Sequence, residues 1–123
     1  MTIRRGSLLR TFALNEVSDD YENFNKVERE CRGLFARCGL AVTPREVVDA
    51  LDSLIIDGLV KAYWLSALGP VREIEGVPAE TDIPHIYFLQ TDKGKSASAM
   101  DSNWPFGDDG RLQPGVLIVP DSE

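Results

Sequence analysis

The chain has 123 residues and a formal charge of -7, from thirteen Lys plus Arg against twenty Asp plus Glu, with 43% hydrophobic residues. That length predicts one compact core, and the apolar content excludes the low-hydrophobicity signature of disorder. The acidic balance argues against nonspecific polyanion binding, which basic domains achieve through counterion release.

Cys31 and Cys38 lie seven apart, within one expected helix and its end, and do not make the dense framework of a small secreted domain. Reduced thiols are expected. His85 is the single histidine and no Cys pair has ligand spacing, so neither a metal nor a cofactor is expected. The longest apolar runs, such as 116–119, fall far short of the ~18 residues a membrane span requires. Residues 1–15 carry Arg4, Arg5 and Arg10 without an acid, a faint likeness to a transit peptide; they read as the first helix of a cytoplasmic protein.

Ile3, Leu8, Leu9, Phe12 and Ala13 recur at helical spacing, which predicts an amphipathic helix over 3–16. Ser18 followed by Asp19 and Asp20 reads as the cap of a second helix, with Tyr21, Phe24, Val27, Cys31, Leu34 and Phe35 on one face. Its wet side carries the pairs Glu22 to Lys26 and Glu28 to Arg32, and Gly39 ends it. Thr43-Pro44-Arg45-Glu46 is a capping box with Pro at the first helical position, opening a third helix over 44–57. Val47, Val48, Leu51, Leu54 and Ile55 share its apolar arc, and Arg45, Glu46, Asp49, Asp52, Ser53, Ile56 and Asp57 share the other. Gly58 stops that helix. Runs 59–65 and 85–89 are rich in β-formers and should pair antiparallel across a long loop, 67–84, with a short extra strand around 71–74. Thr91-Asp92 caps a short helix ending near Met100. The loop-rich remainder is anchored by Trp104, Phe106 and 116–119, giving a division into a domain over 1–101 and an extension over 102–123 that packs back on it or on a second copy.

Three helices, the third running into Gly58-Leu59-Val60, then a hairpin and Tyr87-Phe88-Leu89-Gln90-Thr91-Asp92-Lys93-Gly94-Lys95, resemble a winged helix-turn-helix domain over residues 3–96. The likeness is greatest to bacterial MarR-like and PadR-like regulators. It implies an α+β fold: a three-helix core, a two- or three-stranded antiparallel wing and a C-terminal tail. It also implies a third helix in the major groove and a wing on the backbone, here 45–56 and 67–83. DNA-binding relatives often dimerise through long terminal helices, whereas only the short segment 91–101 precedes Pro105, so a dimer is expected to use the first helix or the tail.

The charge at those segments points elsewhere. Glu46, Asp49, Asp52 and Asp57 face Arg45 alone, and Glu73, Glu75, Glu80 and Asp82 face Arg72 alone, a local -3 in each case. The leading expectation is therefore a non-enzymatic regulatory module. It would recognise a protein, or a second copy of the chain, through Glu46, Asp49, Asp52, Ser53 and Ile56, with Ile56 at the centre of a polar rim. The alternative is a MarR/PadR-like DNA-binding regulator whose phosphate contacts would be Arg4, Arg5, Arg10, Arg45 and Arg72. No catalytic set is read. His85 has no nucleophile motif beside it, Asp19-Asp20 and Asp108-Asp109 suit a helix start and a turn, and no Gly-rich phosphate loop is present.

Overall fold

The computed structural model describes residues 1–18, 21–64, 72–74, 86–100 and 103–121. The Asp19-Asp20 cap, nearly all of the 67–84 loop with Glu75, Glu80 and Asp82, His85, the domain boundary at 101–102 and the side chain of Arg72 lie outside the described residues. In chain order the elements are β1 (Thr2–Arg4), α1 (Arg5–Glu16), β2 (Glu22–Asn23), α2 (Phe24–Arg37), α3 (Pro44–Ile56), β3 (Val60–Trp64), β4 (Arg72–Ile74), β5 (Ile86–Gln90), α4 (Asp92–Met100) and β6 (Leu117–Val119).

The first helix starts later than its periodicity suggests. Residues 2–4 are extended and pair in parallel with β6, Ile3 opposite Ile118, so Ile3 is buried between exposed neighbours as a strand residue. Nor is α1 amphipathic in the expected sense. Leu8, Leu9, Thr11, Phe12, Ala13 and Leu14 are all buried, because helices and the C-terminal segment cover it from several directions. Phe12 is the hub: its ring meets Phe35 and Trp104 edge-on at 5.7 and 5.5 Å and stacks on Phe106 at 5.9 Å.

The second helix also starts later. Glu22 and Asn23 pair with Phe88 and Tyr87 of β5, and the Asn23 side chain caps α2 by accepting from the Asn25 amide at 2.9 Å. The two expected ion pairs are present, Lys26 to Glu22 at 3.2 Å across the strand–helix junction and Arg32 to Glu28 at 3.3 Å. Gly39, at φ +74°, closes the helix by donating to the Ala36 carbonyl.

The capping box of α3 is complete: Thr43 Oγ1 accepts from the Glu46 amide at 3.2 Å and Glu46 Oε1 accepts from the Thr43 amide at 3.0 Å. Its arc of Val47, Val48, Ala50, Leu51 and Leu54 is buried against α1 and α2. Gly58, at φ +76°, turns the chain into β3. The strands run in the order β2-β5-β3-β4, all antiparallel, so β2 adds a fourth strand to the expected wing. Val60, Ala62, Ile86, Phe88 and Gln90 face the helices. Gln90 joins sheet to core, its side-chain amide donating to the Leu14 carbonyl at 3.1 Å and its backbone amide to Val17 at 2.9 Å.

The Thr-x-x-Gly step has a steric cause. The Thr91 hydroxyl donates to the Gly58 carbonyl at 2.7 Å and accepts from the Gly94 amide at 3.0 Å, drawing α4 onto the start of β3. A Cβ at Gly94 would collide with the Leu59 carbonyl. Gly94→Ala is therefore expected to lose roughly 1–3 kcal/mol, because backbone has to shift. Gly33→Ala, at a helical site with nothing within 4 Å, should gain roughly 0.5–1 kcal/mol in the same chemical denaturation assay. Equal effects of the two substitutions would contradict the packing at Gly94.

Residues 103–121 return to the same chain. Phe106 is buried on Phe12 beneath the Arg37 guanidinium, and β6 completes the pair with β1. Phe106→Ala should cost roughly 3–5 kcal/mol in equilibrium denaturation, as for other buried aromatic truncations. A loss under about 0.5 kcal/mol would mean that this segment does not hold α1.

Candidate functional site

The face of α3 that sequence reading treats as one surface is divided by α1. On the flank turned to α1 lie Glu46, Ser53 and Asp57. Arg5, at the start of α1, grips Glu46 with both prongs, Nε to Oε2 at 3.0 Å and Nη2 to Oε1 at 3.1 Å, and also donates to the Ala41 carbonyl. Its guanidinium sits 5.0 Å from the Phe35 ring centroid. Arg10, further along α1, donates to Asp57 Oδ2 at 2.8 Å and to the Ser53 hydroxyl. Two helices that pack through leucines are thus also clasped at both ends of α3 by arginines.

The outward strip of α3 carries Arg45, Asp49, Asp52 and Ile56, spaced four, three and four apart. Arg45 Nε meets Asp49 Oδ1 at 3.2 Å with both side chains well exposed, so this pair contributes little stability. Asp52 is half-buried, and Ile56 is 83% exposed. Of the five protein-contact candidates, Asp49, Asp52 and Ile56 share the strip, while Glu46 and Ser53 belong to the α1 flank.

The nucleic-acid candidates are dispersed as well. Arg4 Nη1 donates to the Asp121 carbonyl at 3.2 Å, so Arg4, Arg5 and Arg10 are each engaged within the chain rather than displayed as an open basic patch. Arg45 lies on the outward strip. Lys93, on α4, donates from Nζ to the Asp57 carbonyl at 2.9 Å and caps the end of α3. Lys93 and Asp121 had no local signal for these roles; their partners lie 36 and 115–117 residues away. With Arg5 and Arg10 included, the surface around α3 carries one formal negative charge rather than three.

Between α1, α3 and the tail is an open cleft of about 280 Å³, floored by Leu9 and Ala50 and walled by Arg5, Arg10, Asp49 and Asp121. Asp121 closes one end, accepting from the Gly6 amide at 2.6 Å. It supplies the acid that α1 lacks in its own first turn, where Arg4 offers no side-chain cap. Among the described residues no group of three or more His, Cys, Asp or Glu is arranged to hold a metal. Cys31 is fully buried, and burial, reinforced by the nearby Glu16, Glu28 and Glu30, pushes its thiol up to about 12, leaving it protonated and unreactive at neutral pH. The first-helix route to a dimer loses its apolar basis, since the apolar side chains of α1 are buried within the chain. Among the described residues no helix is long and apolar enough to cross a membrane.

The hydrogen bonds from Arg5, with further help from Thr43 and against the opposing effect of burial, hold the Glu46 carboxyl below its ordinary value. A carboxylate depressed in the folded state adds stability above its unfolded pKa and loses it as pH falls through the folded one. As pH falls through and below the ordinary glutamate range, the wild type should therefore lose stability that Glu46→Gln does not. Identical acid-unfolding profiles would show that the Arg5 to Glu46 clasp contributes nothing.

No family model and no curated protein matches the chain. Among solved structures, it is similar to a PadR-like transcription factor from Bacteroides fragilis, with a TM-score of 0.51 and 18% identity over 78% of each chain. The likeness is one of fold: among the described residues, four helices and an antiparallel four-stranded sheet in a winged-helix arrangement. It bears on the PadR-like side of the resemblance and not on the MarR-like side.

Proposed function

We propose that this chain is a non-enzymatic, DNA-binding transcription regulator of the PadR-like type, working in the cytoplasm. The observation that carries the reading is the arrangement of α2 and α3 against the β3–β5 wing, similar to that of a PadR-like transcription factor across 78% of both chains. In such an arrangement α3 meets the major groove and the wing meets the backbone. The charge objection raised by the sequence is weaker in three dimensions, because Glu46 and Asp57 are neutralised by Arg5 and Arg10. What α3 then offers to a duplex is the strip from Arg45 to Ile56.

Recognition of a protein through that same strip is the second reading, favoured by Ile56, whose side chain is almost wholly in water beside Asp52. An apolar centre with a polar rim is the usual composition of a small interface.

Fluorescence anisotropy with a labelled random duplex separates the two. For a regulator, binding is expected in the range of about 1–100 μM at physiological salt, weakening at least tenfold as salt rises severalfold. Asp49→Lys should tighten it and Arg45→Ala should weaken it. Binding no tighter than about 100 μM at physiological salt would set the DNA reading aside in favour of the protein one.

A further inference from the structure

We infer that Arg5 and Arg10 are positioning residues that act on nucleic acid through α3: by neutralising Glu46 and Asp57 they allow an otherwise acidic helix to approach phosphate. This rests on the regulator reading above. An unpaired carboxylate on the flank of a groove-bound helix would face the duplex backbone at close range, and like charges there oppose association even where they touch nothing. Each of the two flank carboxylates of α3 has an arginine on it, and both arginines come from α1.

The geometry leaves room for neutralisation beside the clasping role of the two arginines. Both pairs are partly exposed, with side-chain exposures of 25% and 38% for Arg5 and Glu46 and 31% and 51% for Arg10 and Asp57, so neither carboxylate needs an arginine to compensate for deep burial. The second pair also sits where negative charge is concentrated on α3. The C-terminal end of α3 carries the negative pole of the helix dipole in addition to the Asp57 carboxylate, and two cations converge there: Arg10 on the carboxylate and Lys93 on the Asp57 carbonyl. The guanidinium groups of Arg5 and Arg10 are committed to these partners, which separates neutralisation from direct phosphate contact.

The test measures duplex affinity at about 100 mM salt for the wild type, Arg10→Gln, Asp57→Asn, the double variant and Arg32→Gln. The last removes the same charge from a pair with Glu28 that does not involve α3. Arg10→Gln should weaken binding roughly three- to tenfold and Asp57→Asn should strengthen it by a similar factor. The double variant should return to within about twofold of wild type, and Arg32→Gln should change it less than twofold. Thermal melting checks that each variant folds, and Asp57→Asn, which leaves Arg10 in place, gives a reading even if Arg10→Gln does not fold. A double variant as weak as Arg10→Gln would overturn the inference by assigning Arg10 a direct phosphate contact. So would an equal loss in Arg32→Gln, which reduces the effect to net charge. Absence of duplex binding by the wild type would instead remove the regulator reading, and the inference with it.

Discussion

The rest of the structure follows from the need to cover α1. A twelve-residue helix that buries Leu8, Leu9, Phe12, Ala13 and Leu14 has apolar side chains pointing in more directions than one neighbour can shield. Helices α2, α3 and α4 each take a side, and Trp104 and Phe106 reach back from the C-terminal segment to Phe12. Thr11, buried among them, is satisfied within the helix by donating to the Ser7 carbonyl at 3.1 Å. The tail belongs to this core, since without Phe106 the Phe12 ring would lose its stacked partner.

Enclosure of α1 also decides the electrostatics of α3. Arg5 and Arg10 stand at the margins of an apolar helix, and the nearest anions are the carboxylates of the helix packed beside it. Packing fixes the distance between the helix axes, and an arginine is long enough to span it with its stem on apolar surface. The surface charge of α3 is thus a property of two helices together, and the exposed remainder is the narrow strip of Arg45, Asp49, Asp52 and Ile56.

The orientation of α3 relative to the sheet has its own cause. Its end, the first residues of β3 and the first turn of α4 meet at Gly58, Leu59, Thr91 and Gly94, where three backbones approach within hydrogen-bonding distance. Glycine at 94 permits the approach, and the Thr91 hydroxyl bonds both the strand start and the helix start. Gln90, one residue before Thr91 and the last of β5, ties that strand to α1. The end of α3, the described strands β3 and β5, and α1 are therefore joined by direct hydrogen bonds.

The sequence by itself determined what local chemistry controls. The capping box at Thr43 and Glu46, the left-handed turns at Gly39 and Gly58, the apolar arc of α3, the antiparallel pairing of β3 with β5 and the Thr91 to Gly94 step are written in neighbouring residues, and together they specify a winged helix. Only the tertiary structure decided the rest. Whether residues 2–4 are helix or strand depends on β6, more than a hundred residues away. Whether Glu22 and Asn23 belong to a helix capped at Ser18 or to a strand before Phe24 depends on β5 pairing with them. Whether the acids of α3 repel an anion depends on arginines 41 and 47 residues distant. Periodicity and capping act over a few residues along the chain, whereas charge and strand pairing act between whatever folding brings close.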